Sequence, residues 1–449
     1  MQVSGAKRMK KLALVGAGSV AGFLLACALA QLVASGAKAD GSSVYQQLNR
    51  FGEAYGLVRA DYVEQPEDRD LVEGAISGML SNLDPHSSYF DPEVFAEMQV
   101  KTDGQYGGVG LVIGDDDGAI IVINPIDGTP ADKAGVKSGD MILAIDGQSV
   151  ADMQVDDVEN KLRGDPGTKV TLSIMPKGET KPVDVVLTRS LVSVEAVSWK
   201  RKDDVGYIRI PAFNDQTNDG VKKAVAELGK EIGPGIKGYI IDLRDNGGGV
   251  LDAAIAVSDD FLESGEIVST RGRDASDVER YNAHPGDIAN GKPIIVLING
   301  GTASASEIVA GALKDHKRAT IVGMTSFGKG SVQTIIPLDG GEAGALHLTT
   351  ARYYTPSGQS IQATGIIPDV AVEEGSNRPD EQASAFQRES DLPHHLEAEG
   401  IVPPTISKSA VNTPPDGRVF DDYQLTYALN LLEPTLASII SPRPKPPHV

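Results

Sequence analysis

Three short segments of this sequence hold residue types that could break a bond. In Asn299-Gly-Gly-Thr-Ala-Ser-Ala-Ser-Glu307 an apolar run gives way to small residues and then to a helical pattern. Ser304 therefore falls at a strand-to-helix turn, where a hydroxyl can be presented beside unbonded helix N–H groups. A serine three residues before a glutamate is also a helix-cap signature, and this segment alone favours the cap. In Gly323-Met-Thr-Ser-Phe-Gly-Lys-Gly-Ser-Val-Gln333, Lys329 stands between two glycines. A lysine accepts the proton of a serine hydroxyl only when uncharged, and withdrawal from water lowers its pKa toward that state. Gln333, four residues on, can orient an amine without adding charge. In Ile240-Ile-Asp-Leu-Arg-Asp-Asn-Gly-Gly-Gly249, a glycine run closes a strand. Such a run lets backbone N–H groups face a substrate, as an oxyanion hole requires, although alone it reads as a tight turn.

Other chemistries are weaker. Gly323–Lys329 comes within one residue of a phosphate-binding loop, but Gly330 stands where that loop needs Ser or Thr for magnesium. Gly16-Ala-Gly-Ser-Val-Ala-Gly22 imitates a dinucleotide turn without the second strand and its acidic end. Asp115-Asp-Asp-Gly118 lacks the spacing of a calcium loop. A histidine base is the usual partner of serine, yet His86, His316 and His347 have no serine context like that of Ser304, and His394 and His395 read as solvated. No cofactor or metal is called for.

Positioning these residues takes several elements. At 449 residues the chain is long for one core, and about three units are expected. Residues 40–101 read as a helical preface, with Val44, Leu48, Phe51, Tyr55, Val58 and Tyr62 on one face. Helices are predicted over Asp68–Leu80 and near Pro92–Val100, with a turn at Leu83–Phe90 between them. Residues 102–190 change to short strands and glycine turns. From Val205 apolar runs alternate with helices, Ser304–Lys314 among them, which predicts an α/β core over 191–373 with a mixed, mostly parallel sheet. Ser331–Pro337 and Ala345–Tyr354 read as a marginal hairpin. Residues 374–449, rich in Pro, Ser and acids, read as a mobile tail with one helix, Tyr423–Leu432.

The first 39 residues carry Lys7, Arg8, Lys10 and Lys11 before an uncharged stretch, then Ala37-Lys-Ala39 as a cleavage site. The stretch is also long enough to span a bilayer, so a signal peptide and a retained anchor at 12–34 both stay open. Either implies export to a periplasm or cell envelope. These residues hold five of the 41 Lys/Arg and none of the 62 Asp/Glu, so cleavage leaves a chain more negative than −21. That surface repels phosphate backbones and excludes nucleic-acid partners. The one cysteine, Cys27, lies in the leader, which excludes cysteine catalysis in the mature chain.

Together the three segments resemble the S41 peptidases, the carboxyl-terminal processing or tail-specific family. The resemblance implies a serine endopeptidase with Ser304 as nucleophile, Lys329 as base and Gln333 as supporting amide. It implies oxyanion donors at the N–H groups of Gly248 and Ala305. Tyr106-Gly-Gly-Val-Gly-Leu111 and Ala134-Gly-Val-Lys-Ser-Gly-Asp-Met-Ile-Leu-Ala-Ile-Asp-Gly147 resemble a PDZ domain inserted before the core. By that likeness Gly108, Val109, Gly110 and Leu111 bind a substrate's terminal carboxylate while the peptide adds a strand. Asp84-Pro-His-Ser-Ser-Tyr89 resembles the family's helical preface, and the likeness covers residues 42–372. Thr302 stands where serine is frequent, and Gly247 where proline is. A tetratricopeptide-type adaptor and a homo-oligomer are further partners the resemblance implies.

Overall fold

The computed structural model describes residues 41–116, 119–126, 128–151, 153–193, 196–274, 276–374, 387–399, 411–414 and 420–432. The leader, its cleavage site and Cys27 lie outside the described residues. The chain divides into two compact units at Gly78 and Met79. The first holds α1 (Gly41–Asp61) and most of α2 (Asp68–Ser81), joined by the Tyr55 hydroxyl donating to Asp68 at 2.9 Å. The apolar stripe of α1 is present but uncovered, with Val44, Leu48 and Phe51 all more than half exposed.

The second unit opens with β1 (Ser88–Phe90) and α3 (Pro92–Asp103). Asp91 caps α3 by accepting from the N–H groups of Glu93 and Val94, and Pro92 sits where no N–H is needed. A β-rich module follows: β2 (Gln105–Gly108), β3 (Leu111–Asp116), β4 (Ala119–Pro125), α4 (Pro130–Lys133), β5 (Met141–Ile145), β6 (Gln148–Ser149), α5 (Val155–Leu162), β7 (Lys169–Met175), β8 (Val183–Thr188) and β9 (Ser190–Ser193). Its sheet runs β3-β4-β5-β7-β8 and closes on α5 around Val122, Val158 and Leu172, while β2 pairs with β9.

The core comprises β10 (Ser198–Lys202), β11 (Val205–Arg209), α6 (Thr217–Ile232), β12 (Gly238–Asp242), α7 (Leu251–Asp259), β13 (Gly265–Arg271), β14 (Val278–Ala283), β15 (Ile294–Ile298), α8 (Ala305–Asp315), β16 (Ala319–Gly323), β17 (Ser331–Pro337), β18 (Ala345–Tyr354), β19 (Val370–Ala371) and α9 (Tyr423–Leu432). The expectation of a mostly parallel core is corrected. Parallel pairing is confined to the sheet β10-β11-β12-β15-β16-β19, where only β10 pairs antiparallel. A second sheet, β1-β18-β13-β14 with β17 beside β18, is wholly antiparallel, as is the β-rich module, so the sheets are largely antiparallel. The cause is connection length: β13 to β14 and β17 to β18 are hairpins, and parallel neighbours need a crossover helix.

The parallel sheet is buried on both faces. Ile294, Val296 and Ile298 of β15 pack with α6, α7 and α8, while Ile295 and Leu297 point the other way. Strand alternation requires this division, and a parallel strand apolar on both sides needs a second cover. That cover is α9, whose Tyr423, Leu425 and Ala428 are buried against Ile240, Ile295 and Val322. The predicted helix Tyr423–Leu432 is present, and its buried face ties that part of 374–449 to the sheet. Tyr423→Ala should destabilise the protein by about 3 kcal/mol or more in urea unfolding. A loss below about 1 kcal/mol would show that α9 is no part of the core.

Candidate active site

The strand ends of the parallel sheet build the site. Where β15 stops, the Asn299 side chain accepts from the N–H groups of Asp245 and Gly301 and donates to Asp245 Oδ1 at 2.8 Å. Thr302 Oγ1 accepts from the Asn299 N–H at 3.0 Å and donates to the Leu243 carbonyl at 2.8 Å. The two strand-to-turn junctions are thereby fastened to each other. Thr302 supplies the one hydroxyl this needs. Ser304 then takes φ 56° and ψ −117° and α8 begins at Ala305. A serine in that conformation is strained, and such strain is sustained where the surroundings fix the turn.

Gly248 closes against this turn. With φ 105°, it leaves room where a Cβ would lie 2.9 Å from Ser304 Cβ and 3.0 Å from the Ala305 nitrogen. The backbone approach an oxyanion hole needs is therefore present. Ala305 N–H stands at the first helical position, which has no intrahelical acceptor. Gly248 N–H is occupied: it donates at 2.8 Å to Asn246 Oδ1, whose amide nitrogen is held by the Ile210 carbonyl.

Glu307, read from sequence only as half of a cap, is the hub. It is fully buried and gathers four donors. Oε1 accepts from the Ser326 hydroxyl at 2.5 Å and the Gly328 N–H at 2.8 Å. Oε2 accepts from the Ser304 N–H at 2.8 Å and the Lys329 N–H at 2.9 Å. The backbones of Ser304 and Lys329 are hence no farther apart than two hydrogen bonds laid end to end. Burial pushes the Glu307 carboxyl up to about 7 even against these four donors.

Burial also pushes the Lys329 ammonium down from the usual lysine range, while Glu389, Glu307 and Asp84 oppose that shift. Among the described residues Lys329 Nζ makes no hydrogen bond or ion pair, and an unpartnered ammonium withdrawn from water favours losing its proton. Gln333 is not brought to the amine by any bond. Its Nε2 donates to Ser331 Oγ at 2.9 Å and Thr349 Oγ1 at 3.1 Å, and Thr349 donates in turn to Asp84 Oδ1 at 3.0 Å. Asp84 also accepts from the Ser87 hydroxyl and from the N–H groups of His86 and Ser87. Burial alone would raise its pKa, but these bonds hold it below the usual carboxylate range. His347 lies in the same group; burial, then the Lys329 charge, pushes it down. His316 is elsewhere, its Nε2 against the Glu266 carbonyl at 2.7 Å.

In the β-rich module, Gly108 ends β2 and Leu111 begins β3. Val109 and Gly110 spend their carbonyls on the N–H groups of Ala131 and Ile126. Among the described residues no acceptor is bonded to the N–H groups of Val109 and Gly110. Gly110 has φ 77°, and a Cβ there would strike Thr129.

The sequence carries the same signature. The model of peptidase family S41 matches residues 204–372, that of a PDZ domain residues 121–174, and that of the N-terminal domain of the activating protease CtpB residues 19–94. A carboxy-terminal-processing protease of Bartonella bacilliformis is 47% identical over 414 residues, 92% of this chain and 94% of that protein. The carboxy-terminal processing protease CtpA of Bacillus subtilis is 36% identical over 335 residues, 74% of this chain and 70% of its own. Among solved structures, a photosystem II D1 C-terminal processing protease is 31% identical, covering 77% of this chain and 98% of that one, with a TM-score of 0.42. These likenesses define the class: a serine-type peptidase. The chain belongs to the carboxy-terminal processing proteases of peptidase family S41, with a PDZ domain.

Glu307→Gln tests the hub, since an amide turns an NH₂ toward one of the two donor pairs. It should cost about 2 kcal/mol or more of stability. A carboxyl pushed up to about 7 by folding stabilises at low pH, and that contribution is lost as pH rises through about 7. The gap between wild type and Glu307→Gln in urea unfolding should therefore narrow from about pH 5 to about pH 8; a gap that widens contradicts the assignment.

Proposed function

We propose that the peptidase activity runs through a Ser304/Lys329 dyad. The observation that supports it is the single buried oxygen, Glu307 Oε2, bound by the backbone N–H groups of both residues. In this reading the neutral Lys329 amine takes the Ser304 hydroxyl proton as Oγ attacks the peptide carbonyl. The oxyanion is met by the Ala305 N–H, and by the Gly248 N–H once it leaves Asn246. The resulting ammonium protonates the departing amine, and water then releases the acyl group by the same base. Gln333 would align the amine through its free Oε1.

The substrates we propose are envelope proteins with accessible C-termini. Residues 102–190 would form the PDZ unit, with the uncommitted N–H groups of Val109 and Gly110, beside Gly108 and Leu111, receiving the terminal carboxylate. The leader supports an exported enzyme, cleaved or held by residues 12–34. Family likeness and the uncovered stripe of α1 support association with a tetratricopeptide-type adaptor or a second copy.

Ser304→Ala and Lys329→Ala should each cut turnover of a susceptible peptide by about 10³-fold or more. Activity should rise with pH along a limb lying below the 10.5 of an ordinary lysine, because only the neutral amine is a base. A Lys329→Ala enzyme with wild-type turnover sinks the dyad. Amidating the peptide's C-terminus should slow cleavage about tenfold or more at low substrate; equal rates for acid and amide would remove the PDZ unit from recognition.

A further inference from the structure

One buried acid near the lysine has no part in the reaction as written. Glu389 has no exposed surface and lies on residues 387–399, beyond the segment that the S41 model matches. Its Oε1 accepts from Gln362 Nε2 at 2.8 Å and its Oε2 faces His86 Nε2 at 2.7 Å. Its N–H donates at 3.2 Å to the carbonyl of Phe327, two residues before the lysine. Gln362 Oε1 meanwhile accepts at 3.0 Å from the N–H of Gly330, one residue after it. Glu389 thus grips the Lys329 loop on both sides. Its segment is itself tied down, by Arg388 to the Thr364 carbonyl at 2.7 Å and by Arg352 to the Glu397 carbonyl at 2.9 Å.

A buried carboxylate paired with histidine could be a mere staple for the tail. Its surroundings assign more. The charged and titratable groups around Lys329 are Glu307 from α8, Asp84 and His86 from the turn before β1, His347 from β18, and Glu389. Of the acids, Glu389 bears most strongly on the amine, and its Oε2 faces His86 Nε2 at 2.7 Å.

We propose that Glu389 is a positioning residue for the base: it holds the Lys329 loop at Phe327 through its own N–H and at Gly330 through Gln362, and its carboxylate acts on the amine between them. The inference rests on the Ser304/Lys329 reading. It makes the C-terminal segment part of the catalytic electrostatics.

The test is the rate at which a fluorophosphonate modifies Ser304 as a function of pH, followed by intact mass, in full-length wild type, Glu389→Gln and Gln362→Met. Removing the Glu389 charge lets the amine lose its proton at lower pH. On the acid limb Glu389→Gln should label about threefold or more faster, relative to its own plateau, than wild type. Gln362→Met frees the loop at Gly330 and lets water reach the amine, so its limb should move to higher pH. A purely structural staple lowers the plateau and leaves the limb in place. A folded Glu389→Gln with an unmoved or raised limb overturns the proposal. If that variant shows no cooperative unfolding, Gln362→Met decides, and an unmoved or lowered limb overturns it. Lys329→Gln separates the two claims. Wild-type labelling by Lys329→Gln defeats the dyad itself, whereas lost labelling with unmoved limbs in the other variants defeats only the role of Glu389.

Discussion

A carboxylate sealed from water costs several kcal/mol unless donors replace its hydration. Glu307 makes that requirement the organising constraint of this protein. Its four donors come from the turn at Ser304 and from Ser326, Gly328 and Lys329, segments that no ladder joins directly. None can drift without leaving a buried carboxyl oxygen short of a donor. The small residues around Ser304 and the glycines flanking Lys329 are what allow two backbones to approach one side chain this closely. The cost of burying Glu307 is thereby converted into precise placement of Ser304 and Lys329.

The same logic recurs at the C-terminal end of β12. Asp242, nearly fully buried, accepts from Tyr207, Arg209 and Arg244, and Arg244 reaches on to Asp422 at 2.7 Å. Asp422 lies just ahead of α9, so this network clamps the second cover onto the sheet whose strand ends carry the site. Hydrophobic burial under α9 and the arginine bridge act at one place. Cover, sheet and site are therefore one structural unit, and the strand-end turns gain rigidity from residues far along the chain.

Much of this was legible in the sequence because periodicity and turn chemistry are local. β17, β18 and α9 have the predicted bounds, and Ser304 stands at the predicted strand-to-helix junction. β10, β13 and β14 went unread. Ser198–Lys202 carries three cations in five residues and so lacks an apolar face of its own. Glu307 was visible as the end of a Ser-x-x-Glu pattern, which names its bond to the Ser304 N–H but not its three other donors, all some twenty positions downstream. Glu389 gave no signal, since an acid in a Pro- and Ser-rich stretch reads as solvated until its partners, more than 300 positions apart in the case of His86, are known. The helix over 423–432 was legible, but not the sheet it covers; the evidence for a missing cover lay in the all-apolar β15.

Lysine suits this site better than histidine for an electrostatic reason. An imidazole near neutrality needs little help to stay uncharged, and a carboxylate beside it serves mainly to stabilise the imidazolium. An amine starts far above neutrality and must be pushed down by loss of water, against every acid in view. Here three acids face it, and burial still prevails. Any opening of the segments that exclude water from Lys329 hence returns the amine to its charged, idle state without moving a catalytic atom. In the proposed dyad, closure of the protein around the lysine and possession of a working base are the same event.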